Sequence, residues 1–398
     1  MVRAARARPQ HPALGALTHA QLLEAARRAA GGLGGARSAG LTMAPGEDFA
    51  VTLHACLLAG VLAVPIDPRL TAAEQRRLAA GCDVVLDSRP DGTPAEPAPL
   101  DLAAPVIAVH TSGTSGTPKR VELTYGNWLW SALGAHASLG LGPEERWLCA
   151  LPLSHVAGLS ILVSSVVYGT TAIVHEGFDP ERVAAEDHTI VSVVPTMLAR
   201  LLDAGVRTPR ALIGGAPVPP ALRERAAEAG IETADAYGLT ETCSKVTIDG
   251  RPVFCSRVEL AGDGEILVGG PVVAPSAGPW LHTGDLGAWD EEGRLRVTGR
   301  KADTIVTGGE NVAPAEVEAV LEAHPAVAEA GVHGRPDPEW GEAVHATVVL
   351  RPGMSATAED LQVFCREKLA PFKVPKGLSF VAALPRTPSG KLLRRKLV

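Results

Sequence analysis

The chain has 398 residues, 46% of them hydrophobic and 20% charged, with a formal net charge of −7 at pH 7. That length predicts two or three domains with sizeable cores, and the composition excludes a disordered chain. No basic excess is present to neutralise phosphates, so general nucleic-acid binding is not expected.

In chain order, Arg3, Arg6 and Arg8 precede no apolar signal-peptide core, and the opening residues read as a solvated, frayed tail. Helical stretches at Ala20–Gly31 and Ala72–Ala80 alternate with short β runs at Val61–Val64, Val84–Leu86 and Val106–Val109, which predicts α/β architecture with largely parallel strands. The most apolar stretch, Phe49 to Ile66, contains His54, Gly60 and Pro65. It reads as a buried helix ending at Gly60 followed by a strand, and no membrane span is expected. Residues 89–105, rich in Pro and Asp, read as a surface loop. A second α/β region follows, with Leu148–Leu153, a helix from about Gly158 to Tyr168, then Thr171–Val174, Ile190–Val194 and Leu212–Ile213. Turn signals at Gly262-Asp263-Gly264 and Glu292-Gly293 predict β hairpins between 257 and 299. After Arg300 the pattern becomes a compact α+β module: a helix from Pro314 to about Ala323, a strand at Val344–Leu350 and a helix at Asp360–Leu369. The domain boundary is expected near Ala302. The six cysteines (Cys56, Cys82, Cys149, Cys243, Cys255, Cys365) form no C-x-x-C pair, so neither a metal site nor a disulfide framework is expected. Most read as buried small residues in a reducing cytoplasm.

One segment carries chemistry on its face. Thr111-Ser112-Gly113-Thr114-Ser115-Gly116-Thr117-Pro118-Lys119 follows the apolar run Val106–Val109. Glycine lets backbone approach a ligand, hydroxyls and N–H groups donate to phosphate oxygens, and lysine adds positive charge, so the segment suits a polyphosphate. Its spacing is not that of a P-loop ATPase, and composition alone also fits a flexible Ser/Gly linker. Asp285, in Thr283-Gly284-Asp285, reads by itself either as a turn-capping aspartate or as an acceptor for sugar hydroxyls. Tyr237 offers an aromatic face, in a chain with three tyrosines, or a core tyrosine. Ser154-His155 are adjacent, which is poor geometry for a nucleophile and its base, and no G-x-S-x-G elbow exists.

The Thr111–Lys119 segment resembles the phosphate loop of the adenylate-forming ligases, the acyl- and aryl-CoA synthetases and their relatives. Four further motifs follow in that family's order. They are Ala236-Tyr237-Gly238-Leu239-Thr240-Glu241, Thr283-Gly284-Asp285-Leu286, Gly299-Arg300-Lys301-Ala302-Asp303 leading to Gly308-Gly309-Glu310-Asn311-Val312, and Pro385-Arg386-Thr387-Pro388-Ser389-Gly390-Lys391. The chain is short for the family, with a condensed N-terminal part, and lacks the tyrosine-containing stretch often found before the Thr-Gly-Asp motif. The resemblance implies a large N-terminal α/β adenylation domain, residues 1–301, and a small mobile α+β domain, residues 302–398. It implies a two-step reaction in which a carboxylate attacks the α-phosphate of ATP and a thiol then displaces AMP. An anion attacking a phosphate is opposed electrostatically, so positioning and positive charge must dominate.

Residue by residue, the resemblance implies nucleotide contacts from Thr111, Ser112, Gly113, Thr114, Ser115, Gly116 and Lys119, and from Gly215, Ala216 and Pro217 as one wall of an adenine slot whose other wall is Tyr237. Asp235, Ala236, Gly238 and Thr240 complete the slot, Asp285 and Arg300 take the ribose or phosphates, and Gly308 and Gly309 belong to the same set. Lys391, Glu241 and Thr114 form the implied catalytic set, with Glu241 binding Mg²⁺ and Lys391 bridging substrate carboxylate and α-phosphate. By composition alone Lys391 is simply part of a basic tail. An acyl pocket is implied at His155, Gly158, Leu159, Gly214, Gly238 and Leu239, because Leu151–Leu159 resembles the family's P-L-x-H-x-x-G-L segment. ATP, Mg²⁺, coenzyme A and a small carboxylic acid are the implied ligands, in the cytoplasm, with oligomeric state open. Leu151–Leu162 and Tyr237–Ser244 look most like the branch of the family acting on o-succinylbenzoate, which commonly carries arginine where Ser164 stands. Other aryl- or fatty-acyl-CoA ligases, and a non-catalytic nucleotide-binding homologue, are the alternatives.

Overall fold

The computed structural model describes residues 1–111, 119–386 and 392–398. The chain forms two compact units: residues 1–258 with 268–281, and residues 259–267 with 282–398.

The first unit holds two largely parallel sheets. The smaller has the strand order Val84–Leu86, Ser38–Leu41, Leu62–Pro65, Pro105–Thr111, Lys119–Thr124, and only the last runs antiparallel. The larger has nine strands, with Glu232–Tyr237, Arg210–Gly214, Ile190–Val193, Arg146–Cys149 and Thr171–Val174 as its parallel centre. Of these, Ile190–Val193 and Thr171–Val174 are buried nearly throughout and read as short, largely apolar runs because both faces are covered. Helices start where the sequence supplies caps. Thr18, Thr71 and Thr124 each form a reciprocal capping box with the residue three places on, and a cap of this kind contributes about 1 kcal/mol. Helix Glu47–Ala59 is buried along most of its length and ends at Gly60, whose φ of +70° is the left-handed conformation that glycine adopts without penalty. His54 lies fully inside it, and burial, with the nearby N-terminal amine and His19, lowers its pKa to about 3, so it stays neutral. Among the described residues no helix is long and apolar enough to cross a membrane.

Two expectations change. The opening residues are not a frayed tail: Val2–Ala7 is a helix with Ala4 and Ala5 buried, and Arg8 pairs with Glu144 and donates to the Gly169 carbonyl. Apolar alanines between the arginines supply a packing face that a charge count overlooks. Thr283-Gly284-Asp285 is not a chain-reversing turn but the middle of the ten-residue strand Trp280–Trp289, with φ +69° at Gly284. The cysteines are all unpaired and all but Cys82 are buried.

The second unit is built on a sheet in the order Glu310–Val312, Ile305–Thr307, Gly341–Leu350, Val327–Asp337, with Gly377–Phe380 parallel to Gly341–Leu350. Helices Pro314–Glu322 and Ala358–Arg366 close its core through Val317, Leu321, Leu361 and Cys365.

Candidate active site

In an open parallel sheet the carboxyl ends of the strands are where ligands are received, because the loops there can vary while the strands hold their anchors. In the first unit three of the expected segments leave that edge together. Strand Arg146–Cys149 runs into Leu151–His155 and helix Val156–Tyr168. Strand Arg210–Gly214 runs into Gly215-Ala216-Pro217, and strand Glu232–Tyr237 into Gly238–Glu241. The last two are neighbours in register, Gly214 opposite Ala236.

The Tyr237–Ser244 loop is held tightly. A Cβ at Gly238 would run into the Ser244 carbonyl, so only glycine fits this fold of the chain. Thr242 Oγ1 accepts from the Leu239 N–H at 2.9 Å, and the Val246 N–H donates to the Tyr237 carbonyl at 2.7 Å. Ser131, on helix Tyr125–Leu139, donates to the Cys243 carbonyl at 2.6 Å, and the Ala274 N–H donates to the Glu241 carbonyl at 2.7 Å. Tyr237, Gly238, Leu239 and Thr240 are half-buried, as a ligand-facing strip should be.

Glu241 sits in the short 3-10 turn Thr240–Thr242. Its carboxylate has no hydrogen-bond or ion-pair partner among the described residues. Strand Lys119–Thr124 packs against this turn. The same strand begins where the phosphate-loop segment ends, and its antiparallel pairing sets Lys119 opposite Thr111, with Thr111 Oγ1 donating to the Lys119 carbonyl at 3.3 Å. Ser112, Gly113, Thr114, Ser115 and Gly116 lie outside the described residues, as does Lys391. A half-buried carboxylate without a protein partner fits Mg²⁺, which keeps waters and shares few protein oxygens. No group of three or more His, Cys, Asp or Glu able to cage a metal occurs among the described residues.

Other placements are less direct. Asp235 pairs with Arg223, and its N–H donates to Asp249 Oδ1 at 2.8 Å, so its carboxylate is already engaged. Gly215 has φ +83°, and Gly215, Ala216 and Pro217 are exposed. His155 is half-buried and stands at the N-cap position of helix Val156–Tyr168 without a side-chain capping bond, while Leu159 is fully buried. A Cβ at Gly158 would lie 2.7 Å from the Pro152 carbonyl, so glycine lets the helix start press onto the preceding turn.

In the second unit, Asp285 is buried and stands opposite Arg300 across the hairpin, with Arg300 Nε 2.6 Å from its Oδ1. Thr283 Oγ1 accepts the Asp285 N–H at 3.0 Å, and Glu265 accepts the Gly284 N–H at 3.0 Å, which fixes the kink that presents the carboxylate. Gly308 and Gly309, with φ +60° and +84°, form a two-residue hairpin turn that requires left-handed backbone at both positions.

Two groups escaped the sequence reading. Arg69 is 2.6 Å from Asp67 and, chiefly by hydrogen bonding, holds its carboxyl below the usual range. The Asp-Pro-Arg triplet after a strand was the available signal. Lys245 is the second: 4% exposed, it donates to Ser160 Oγ at 2.9 Å and lies 3.4 Å from Ser244 Oγ. A lone lysine in the otherwise uncharged run Cys243–Ile248 marks it.

Fold and site together define an adenylate-forming enzyme. The AMP-binding enzyme family model matches residues 1–87 and 83–276, and that of the AMP-binding enzyme C-terminal domain matches 316–391; the chain belongs to this family. The 2-succinylbenzoate–CoA ligase of Bacillus licheniformis is 36% identical, over 96% of this chain and 94% of its own. That of Geobacillus kaustophilus is 42% identical over 75% of this chain and 69% of its own. Among solved structures, o-succinylbenzoate CoA synthetase from Bacillus subtilis in complex with its acyl-adenylate intermediate superposes with a TM-score of 0.88 at 33% identity, over 99% of this chain and 96% of that one. The same enzyme with ATP and magnesium gives 0.86 at 34%, over 100% and 98%.

Proposed function

We propose that this chain is an ATP-dependent acid–thiol ligase that converts 2-succinylbenzoate to its coenzyme A thioester, a step of menaquinone synthesis, in the cytoplasm. The single observation that carries the class is Glu241, whose carboxylate has no protein partner among the described residues, on a turn packed against the strand that leaves the phosphate-loop segment. The relatives support the acid, since the named ligases act on 2-succinylbenzoate.

The reaction balances in two displacements. A carboxylate oxygen attacks the α-phosphorus and pyrophosphate leaves; thiol sulfur then attacks the acyl carbon, AMP leaves and one proton is released. In this reading Thr111–Lys119 cradles the phosphates, and Glu241 holds Mg²⁺, which would offset phosphate charge when bound. Gly214, Gly215, Ala216 and Pro217 form one side of the adenine slot, with Tyr237 and the Ala236–Thr240 strip as the other. Asp285, oriented by Arg300, takes the ribose hydroxyls. His155, Gly158, Leu159 and Leu239 border the acyl group. Lys391 supplies charge at the α-phosphate, and residues 1–301 and 302–398 act as the two functional domains, pivoting at Ala302.

The test is exchange of labelled pyrophosphate into ATP, without coenzyme A, across a panel of carboxylic acids. Exchange stimulated most by 2-succinylbenzoate is expected. Stimulation by a fatty or benzoic acid instead would change the substrate, and no exchange with any acid would remove the ligase reading.

A further inference from the structure

Lys245 is a buried ammonium without a counter-charge. Its Nζ has two hydroxyl acceptors, Ser160 and Ser244, and lies 5.6 Å from the centre of the Trp147 ring. No Asp or Glu among the described residues forms an ion pair with it, and Ser112–Pro118 and Thr387–Lys391 contain no Asp or Glu. A buried cation left unpaired is costly, and a lysine that only filled space here would be better replaced by an apolar side chain.

Its two partners lie on segments already assigned to the acyl site. Ser160 follows Leu159 on the helix that begins after His155, and Ser244 closes the Tyr237–Ser244 loop. Ser164 is one helical turn beyond Ser160 on the same face, and helix Val156–Tyr168 carries no charged side chain of its own. The chain thus lacks a cation on that helix and directs one to its surface from the facing loop.

We propose that Lys245 is a specificity residue that receives the carboxylate of the substrate that is not adenylated. This rests on the reading of the substrate as an aromatic dicarboxylic acid. The groups around Lys245 leave it as the local charge. His136, from helix Tyr125–Leu139, is pushed down to about pKa 4 by burial and by Lys245 itself, and burial raises the Cys243 thiol well above its ordinary value. Burial also lowers Lys245 to about 8, so it is still mostly protonated at neutral pH.

The experiment compares kcat/KM for adenylation of 2-succinylbenzoate with that of 4-oxo-4-phenylbutanoate and 2-butanoylbenzoate, each lacking one carboxylate, in the wild type and in Lys245→Met and Lys245→Gln. The wild type should prefer the dicarboxylate. The variants should lose that preference by about 100-fold or more, the effect of removing one partner of a buried charge pair. The wild-type kcat/KM for the dicarboxylate should also fall above about pH 8, a limb absent from both variants; this readout stands even where one variant folds poorly. A wild type without preference, variants that keep it, or a pH limb that survives Lys245→Gln each overturn the inference while leaving the ligase reading intact. A wild type that adenylates other acids but not 2-succinylbenzoate overturns the inference together with the choice of substrate, while the ligase class stands.

Discussion

Lys245→Met should stabilise the ligand-free protein at neutral pH, although it removes two hydrogen bonds. Burial lowers the lysine pKa from 10.5 to about 8. That fall is roughly two and a half units at 1.36 kcal/mol each, so the buried ammonium costs the folded state about 3 kcal/mol at pH 7. Methionine has similar length and no charge to desolvate, and fills the same space among Ser160, Ser244 and Trp147. Losing the two hydrogen bonds returns about 1–2 kcal/mol, leaving a net gain of about 1–2 kcal/mol. The sign of the pH dependence follows from proton counts. Between about pH 8 and 10.5 the unfolded chain binds more protons at Lys245 than the folded one, so wild-type stability rises with pH there. The advantage of the variant should therefore shrink by about 3 kcal/mol from pH 7 to 10.5, and reverse at the alkaline end. Urea unfolding of both proteins, without ligands and at fixed pH, measures the gap; other groups that titrate in this range cancel between them. A gap independent of pH, or a variant several kcal/mol less stable at pH 7, would refute the reasoning.

Gly238→Ala forces a Cβ into the Ser244 carbonyl and must displace the turn that carries Glu241. Adenylation should drop by about 100-fold or more, as misplacement of a reactive group by an ångström does, and a crystal structure of the variant should show the loop moved. Asp285→Asn keeps the shape but removes the charge facing Arg300, and should weaken ATP binding by about tenfold in a calorimetric titration; an unchanged Kd contradicts the ribose assignment. Ala302 lies in the 3-10 turn Lys301–Asp303. Proline there fixes φ near −65° and should slow thioester formation from supplied acyl-adenylate by about tenfold or more while pyrophosphate release survives. Unchanged thioester formation would place the pivot elsewhere.

The parallel strands of the first unit were legible because they are short apolar runs: the buried Thr171–Val174 and the edge strand Val84–Leu86 were placed to the residue, and Ile190–Val193 within one. Helix ends were less so. The predicted helix Asp360–Leu369 occupies Ala358–Arg366, because Thr357 caps it through Asp360, a signal that the apolar spacing alone does not carry. The N-terminal helix was missed because its arginines hide two buried alanines. Of the candidate residues, Glu241, Tyr237 and Asp285 stood in recognisable motifs, yet the engagement of Asp235 by Arg223, from helix Pro220–Glu228, and of Asp285 by Arg300, across a hairpin, depends on elements brought together by the fold. Lys245 shows the same limit. Its partner Ser160 is 85 residues away, and nothing local says that the lysine turns inward.

The central claim is best tested by product analysis of the complete reaction, with ATP, Mg²⁺, coenzyme A and competing carboxylic acids. The account predicts 2-succinylbenzoyl-CoA as the preferred thioester, formed in equal amounts with AMP and pyrophosphate. A higher kcat/KM for a simple aromatic or fatty acid, or thioester formed with ADP and phosphate in place of AMP and pyrophosphate, would contradict it.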